Sequence, residues 1–361
     1  MKIKTLRLSL LLLAITTVFI SCNDDDDDES STPFVEADRT EQQAEDNAEI
    51  LAYLNTHYYN SSFFETGTDH EYTDIILSEL PTDDDGNYLE LPDPANNTLL
   101  IDAVETRTVT YLEADYEYYV LNLNQGDGNS PNYTDLVRVR YEGSSVNEVV
   151  NGEEEVFDSA ITPADLYLQS DYVSVSGVIR AWQLVMPSFN AGTGFDIQEN
   201  GNVNYYNFGL GVMFVPSGLA YFSSTATGSS YDNLIFKFEL LQFETVDSDN
   251  DGIPSYIEDL DGDSEVEDED TDEDSLFNFI DNNDDGDDVF TIDELIPNTY
   301  IINTNIGEVE PTLAANEFER SRTETDGVIT LKTVTIADSN NDGLPDYLDE
   351  TIEINYNITS N

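Results

Sequence analysis

The 361 residues exceed one typical domain of about 100–200 residues. Acidic residues outnumber basic ones 76 to 12, for a net charge of −64. That excludes nucleic acid as a partner, since phosphate binding needs clustered Lys and Arg, and argues against docking on anionic lipid. Such a chain repels itself unless salt or divalent cations neutralise it. The 21 Tyr and 17 Phe nevertheless supply material for a core.

Lys2, Lys4 and Arg7 precede a run, residues 8–20, that is apolar but for Ser9, Thr16 and Thr17. Thirteen residues are too few to span a bilayer, which takes roughly 20, so residues 1–21 read as a signal peptide. Phe19-Ile20-Ser21-Cys22 resembles a bacterial lipobox, in which the cysteine is lipidated and becomes the new N-terminus. Cys22 is the single cysteine, so no disulfide forms within the chain. The acidic run 24–28 resembles the surface-export signal of Bacteroidetes lipoproteins. These resemblances imply an outer-membrane lipoprotein held through Cys22, on the periplasmic or cell-surface face. Residues 22–38 read as an acidic tether.

Residues 39–134 form an extension. A helix is expected from Thr40 to about Tyr58, where Ala44, Ala48, Leu51 and Tyr58 recur at helical spacing, with Thr40 capping and Gln43 three residues on. The strand-rich segment that follows, or a second copy of the chain, would cover its apolar side. Strand-like stretches at 108–112 and 116–123 lie between turn signals.

Residues 135–245 are denser in strand patterns. Val137, Val139 and Tyr141 alternate with Arg138 and Arg140, ending at Gly143. Phe157-Asp158-Ser159 follows, then Gly177-Val178-Ile179-Arg180-Ala181-Trp182, then Phe214-Val215-Pro216-Ser217-Gly218-Leu219-Ala220-Tyr221, then the alternating strand 234–241. In this order the segments resemble the FKBP-type peptidyl-prolyl cis–trans isomerases, over about a third of the chain. A longer stretch, 208–221, is similar to the lipoprotein isomerases of Bacteroidetes. The fold implied is α+β: a twisted antiparallel sheet wrapped around one short helix, here with an N-terminal helix and an acidic C-terminal region.

The resemblance implies that Trp182 floors a pocket for the proline ring, walled by Tyr141, Phe157, Val178, Ile179 and Phe236. Tyr221 would donate its hydroxyl to a substrate carbonyl. Asp158 would sit at the edge, either accepting from Tyr141 or polarising the bound amide. The chemistry suits these residue types. Resonance keeps the peptide bond planar behind a barrier near 20 kcal/mol, and the twisted transition state loses that resonance, so a dry apolar pocket favours it. No cofactor, nucleophile or proton relay is needed, consistent with a chain whose histidines are His57 and His70 alone. Clients would be proline-containing polypeptides. Ala181 and Phe222 stand where the family has glycine, and Phe222 is expected to crowd one rim. Leu166 aligns with a family wall phenylalanine.

Residues 246–361 change character. Asp247, Asp249, Asp251, Ser255 and Glu258, with Gly252, fit the spacing D-x-D-x-D-G-x5-E of a calcium loop, with Ile253 offering its carbonyl. Asp338, Asn340, Asp342, Asp346 and Asp349, with Leu344, repeat it. Asn283, Asp285, Asp287, Thr291 and Glu294, with Val289, form a middle candidate. Pro254 and Pro345 remove an N–H that paired EF-hands use, so the first and last loops resemble thrombospondin type 3 repeats, while the middle one is more similar to an EF-hand. Eleven of the sixteen residues 259–274 are acidic, a stretch hard to fold without cations. Structural Ca²⁺ is therefore expected.

Overall fold

The computed structural model describes residues 35–67, 70–150 and 153–357. The signal peptide assigned to 1–21, Cys22 and most of the 22–38 tether lie outside the described residues. No helix among the described residues is long and apolar enough to cross a membrane.

The first helix, α1, spans Arg39–Thr56. Asp38 caps it, not Thr40: its carboxylate accepts from the N–H groups of Thr40 and Glu41, both at 3.0 Å. The buried face also differs from expectation. Ala44 and Ala48 are exposed, and the covered side is Gln43, Asp46, Ile50, Tyr53 and Leu54. Two of these are polar, so apolar periodicity pointed at the wrong stripe. Tyr58 lies beyond the helix in β1 (His57–Tyr59), which pairs with β2 (Leu77–Glu79) and β3 (Thr98–Leu99).

A one-turn helix, α2 (Leu100–Ala103), leads into the main sheet. Its strands are β4 (Glu105–Tyr111), β5 (Ala114–Asn124), β6 (Leu136–Val150), β7 (Glu153–Tyr167), β10 (Gly209–Val215) and β11 (Leu234–Glu244). The spatial order is β4-β5-β10-β11-β6-β7, antiparallel throughout. Strands β4 and β5 come from the 39–134 segment, so the division at residue 135 runs through one sheet. Between β7 and β10 lie a short helix, α3 (Arg180–Val185), and a hairpin of β8 (Gly194–Ile197) with β9 (Val203–Tyr206).

All seven residues of β10 are buried, because the sheet is covered on both faces. On one face Met213, Val215, Phe236, Phe238, Val137 and Val139 pack around Trp182 and Val185 of α3. On the other, Val212, Phe214, Ile235, Tyr119 and Leu121 pack on Ile50, Tyr53 and Leu54 of α1. The isomerase-like sheet is thus the partner of α1, which the sequence left open.

The C-terminal region carries a separate three-stranded sheet, β12 (Ile296–Asn303), β13 (Glu317–Thr325) and β14 (Val328–Thr335), ordered β12-β14-β13. A one-turn helix, α4 (Thr291–Glu294), precedes it. Ile253, Leu295, Val334, Tyr347 and Leu348 form the small core that joins its loops to this sheet. The region meets the main sheet through polar contacts: Tyr133 donates to Asp259 Oδ2 at 2.7 Å, and Arg180 Nη1 donates to the Ser264 carbonyl at 2.9 Å.

Glu239 on β11 is fully buried. It accepts from the Tyr72 N–H at 2.9 Å and pairs with Arg140 Nη1 at 3.1 Å. Burial outweighs these partners and pushes its carboxyl up to about 7. A carboxyl raised in the folded state stabilises fully below its unfolded pKa and loses that stabilisation as pH rises to the folded value. Between about pH 4.5 and 7, wild type should therefore lose about 2–3 kcal/mol relative to Glu239→Gln. Urea midpoints of both chains at pH 5 and pH 8 check this; parallel midpoints would contradict it.

Candidate active site

Three elements converge on one face of the sheet. Strand β6 presents Tyr141, β11 presents Phe236, paired with Gly143 two residues further along β6, and α3 inserts Trp182. The Trp182 ring centroid lies 5.4 Å from Tyr141 and 5.3 Å from Phe236, both edge-to-face. The resulting cleft measures about 510 Å³ and is lined by Tyr141, Asp158, Val178, Ile179, Trp182, Tyr221 and Phe236, with Leu166 and Ala220. That volume suits a small apolar group.

Of the eight residues proposed for catalysis, seven line this cleft. Phe157 stands behind it, packed edge-to-face on Phe236 at 5.7 Å. Gly143 makes room for this pair. A Cβ there would lie 2.7 Å from Phe236 Cε1 and 2.9 Å from Phe157 Cζ.

At the rim the Tyr141 hydroxyl donates to Asp158 Oδ2 at 2.7 Å. Burial and then this carboxylate hold the Tyr141 phenol above its ordinary value. Tyr221 is 39% exposed, and burial followed by the Asp158 charge raises it too. Both phenols thus stay protonated, Tyr141 committed to Asp158.

Helix α1 holds the segment that carries Tyr221. Asp46 Oδ2, on its buried face, accepts from Ser217 N–H at 2.9 Å and Ser217 Oγ at 2.6 Å. Arg39 lies 4.1 Å over the Phe222 ring. Phe222 is buried there, also edge-to-face with Tyr231 at 5.1 Å, and does not line the cleft. The expected rim crowding does not occur. The left-handed backbone of Phe222, φ 47°, accounts for the glycine preference at this position.

Sequence reasoning missed Tyr111 and Arg180 as lining residues. Tyr111 ends β4, before a two-residue turn at Leu112 and Glu113 with φ 47° and 64°, and Arg180 sits 5.4 Å over its ring.

The acidic loops have their own geometry. In the first, Asp249 accepts from Asp251 N–H, Asp247 from Gly252 N–H and Asp251 from Ile253 N–H, at 3.1, 3.0 and 2.7 Å. Asp247 Oδ1, Asp249 Oδ2, Asp251 Oδ2 and both Glu258 oxygens have no hydrogen-bond partner, and Glu258 is fully buried. In the middle loop Asn283 Oδ1, Asp285 Oδ2, Asp287 Oδ2 and both Glu294 oxygens are likewise unpartnered, and Asp285, Asp287 and Glu294 offer oxygens within 4.8 Å of one another. Burial, then neighbouring carboxylates, push Glu294 up to about 9. Unpaired buried carboxylates are costly, and such donor sets fit a hard divalent cation. Ser255 Oγ and Thr291 Oγ1 each accept from the N–H of loop position 2, Ser248 at 3.1 Å and Asp284 at 3.2 Å.

The last loop differs. Among the described residues Asp338, Asp342 and Asp349 form no such group. Its oxygens are used internally: Asn340 Nδ2 donates to Asp342 and Asp349, Asp349 accepts from Thr351, and Asp346 accepts from Ser339 N–H and the Tyr356 hydroxyl. Two groups went unrecognised in the sequence, Asp259/Asp261/Asp263 and Asp270/Asp272/Asp274. They repeat the first loop's hydrogen bonds, but Ser264 and Ser275 take the left-handed position, φ 70° and 82°, where a motif demands glycine.

One family model matches, over residues 248–312, and is described as BamM C-terminal. It names neither thrombospondin repeats nor EF-hands. No curated protein matches the sequence. Among solved structures the chain is similar to a peptidyl-prolyl cis–trans isomerase from Pseudomonas syringae pv. tomato, with 20% identity and TM-score 0.26 over 35% of this chain and 75% of that one. It is similar to FkpA from Escherichia coli, at 17% and 0.28, over 56% of this chain and 62% of that one. The N-terminal domain of FKBP42 from Arabidopsis thaliana gives 13% and 0.27, over 39% and 92%. The chain itself mixes α and β elements, and its sheets are antiparallel.

Gly143→Ala should destabilise the chain by about 1–3 kcal/mol, since two ring edges must move. Urea unfolding measures this; an unchanged midpoint would show that the Phe157–Phe236 pair does not need the gap.

Proposed function

We propose that this chain is a peptidyl-prolyl cis–trans isomerase assisting the folding of exported proteins. The observation that carries the reading is the cleft in which Trp182 lies beneath Tyr141 and Phe236 while two phenols and one carboxylate ring its mouth. A proline ring placed on Trp182 leaves its preceding amide at that mouth. Leaving water costs a planar, resonance-polarised amide more than a twisted one, so the apolar walls favour the transition state. The Tyr221 hydroxyl, partly exposed and held protonated, is the donor available to a substrate carbonyl. Asp158, occupied by Tyr141, orients that ring and adds negative charge to the rim. A second reading, a module that binds proline-containing segments without turning them over, rests on Phe222 and on the short polar loop 223–233; Phe222 is buried and does not line the cleft, which leaves the loop as its motive.

The acidic loops supply structural calcium sites on this reading. Asp247, Asp249, Asp251 and Glu258 would hold one, and Asn283, Asp285, Asp287 and Glu294 another, neutralising charge that otherwise opposes folding. The lipobox at Cys22 would place the protein at the outer membrane, on its periplasmic or cell-surface face.

In a protease-coupled proline-peptide assay, Trp182→Ala should lower kcat/KM at least about tenfold, and Tyr221→Phe about two- to tenfold, the value of one hydrogen bond. The wild-type rate should stay flat from pH 6 to 9, because both phenols titrate above that range. No rate above background, or full activity in Trp182→Ala, would sink the proposal. Calcium chelation should lower the melting temperature by about 5 °C or more; an unchanged melting curve would remove calcium from the account.

A further inference from the structure

Asp284 belongs to none of the three predicted ligand sets, yet it is 1% exposed and converges with Asp251 and Glu258 of the first loop. Its Oδ2 accepts from Thr291 Oγ1 at 2.9 Å, and its Oδ1 has no partner. Asp251 and Glu258 of the first loop, 1% and 0% exposed, meet it with oxygens that all lie within 4.8 Å of one another. Asp251 Oδ2 and both Glu258 oxygens are unpartnered as well. Three carboxylates removed from water, converging and lacking donors, are far less stable than the same groups around a cation.

Charge balance sets the number of ions. Asp247, Asp249, Asp251, Glu258 and Asp284 bring five carboxylates into one neighbourhood, and the nearby cation acting on Asp247 and Asp251 is Arg320, which donates to the Asn250 carbonyl at 3.4 Å. One divalent cation leaves a large negative excess there; two, with Arg320, balance it. Asp251 is common to the group with Asp247 and Asp249 and to the group with Glu258 and Asp284, the arrangement expected of a carboxylate between two ions. The all-oxygen donors select a hard cation, and their spacing suits Ca²⁺ better than the tighter shell of Mg²⁺.

We propose that Asp251, Glu258 and Asp284 hold a second calcium ion, distinct from the one in the first loop, which ties that loop to the middle loop. The ion lies near the buried Tyr347, which packs in the C-terminal core and feels the charge of all three carboxylates. This rests on the calcium reading of the loops, and the test separates the two.

The test is equilibrium dialysis of calcium against the full chain, wild type and Asp284→Asn. The isosteric change should remove one ion per chain, or weaken one ion at least about tenfold, leaving the rest. An unchanged count and affinity would overturn the shared site while preserving the loop reading. No calcium uptake by wild type would overturn both. Anomalous diffraction from wild-type crystals grown in calcium gives the same answer without a variant: a peak among Asp251, Glu258 and Asp284 is expected, and peaks confined to the Asp247–Asp249–Asp251 and middle-loop groups would contradict it.

Discussion

The structure depends on burying one strand from both sides. β10 exposes nothing, and its alternate residues feed two cores, Met213 and Val215 toward α3, Val212 and Phe214 toward α1. A strand so placed reads as a continuous apolar run and fixes register, since a one-residue slip would exchange the two cores. The cleft is a by-product of that arrangement. Trp182 is held on the α3 face by Phe236 and Phe238, at 5.3 and 5.9 Å, so the floor of the site and the centre of the core are the same side chain. On the opposite face α1 does more than cover apolar surface. Through Asp46 and Arg39 it fixes the turn that delivers Tyr221 to the rim.

The second constraint is charge. A chain at −64 must find counter-ions or keep its carboxylates in water. The C-terminal region takes Glu258, Glu294 and Asp284 out of water, leaving them 0–1% exposed, and this makes its folding conditional on cations in the proposed account. That condition reaches the cleft through Arg180, at the start of α3. Its guanidinium donates to Gln183 at 3.0 Å, to the Ser264 carbonyl at 2.9 Å, and pairs with Glu265 at 3.4 Å. Residues 264 and 265 lie between two acidic groups, so the geometry of that loop and the seat of the Trp182 helix share one side chain.

The sequence disclosed what chemistry restricts to particular residue types. Trp182, Tyr141, Asp158, Tyr221 and Phe236 were legible because an apolar cleft with a polar rim admits few substitutes, and they came in a recognisable order. Gly143 was legible as a motif, with its reason visible only in the two ring edges it admits. Helix α1 was legible as a helix but not in its orientation, because its buried stripe begins with Gln43 and Asp46, and Asp46 is satisfied by a residue 171 positions away. Tyr111 was invisible for a similar reason: only the pairing of β4 with β5 brings it to the cleft. The groups at 259 and 270 escaped because serine stands in for glycine at a left-handed position. The last loop has the same spacing, and its oxygens accept hydrogen bonds from within the chain.

The most direct test of the central claim is two-dimensional NMR exchange on a proline peptide populated in both isomers, with a substoichiometric amount of the full chain. Uncatalysed interconversion takes about 10–100 s. The account predicts cis–trans cross-peaks at mixing times far shorter than that, lost when Trp182→Ala replaces wild type. Peptide resonances that shift on binding while the exchange rate stays at the uncatalysed value would contradict it, and would make the cleft a binding site without turnover.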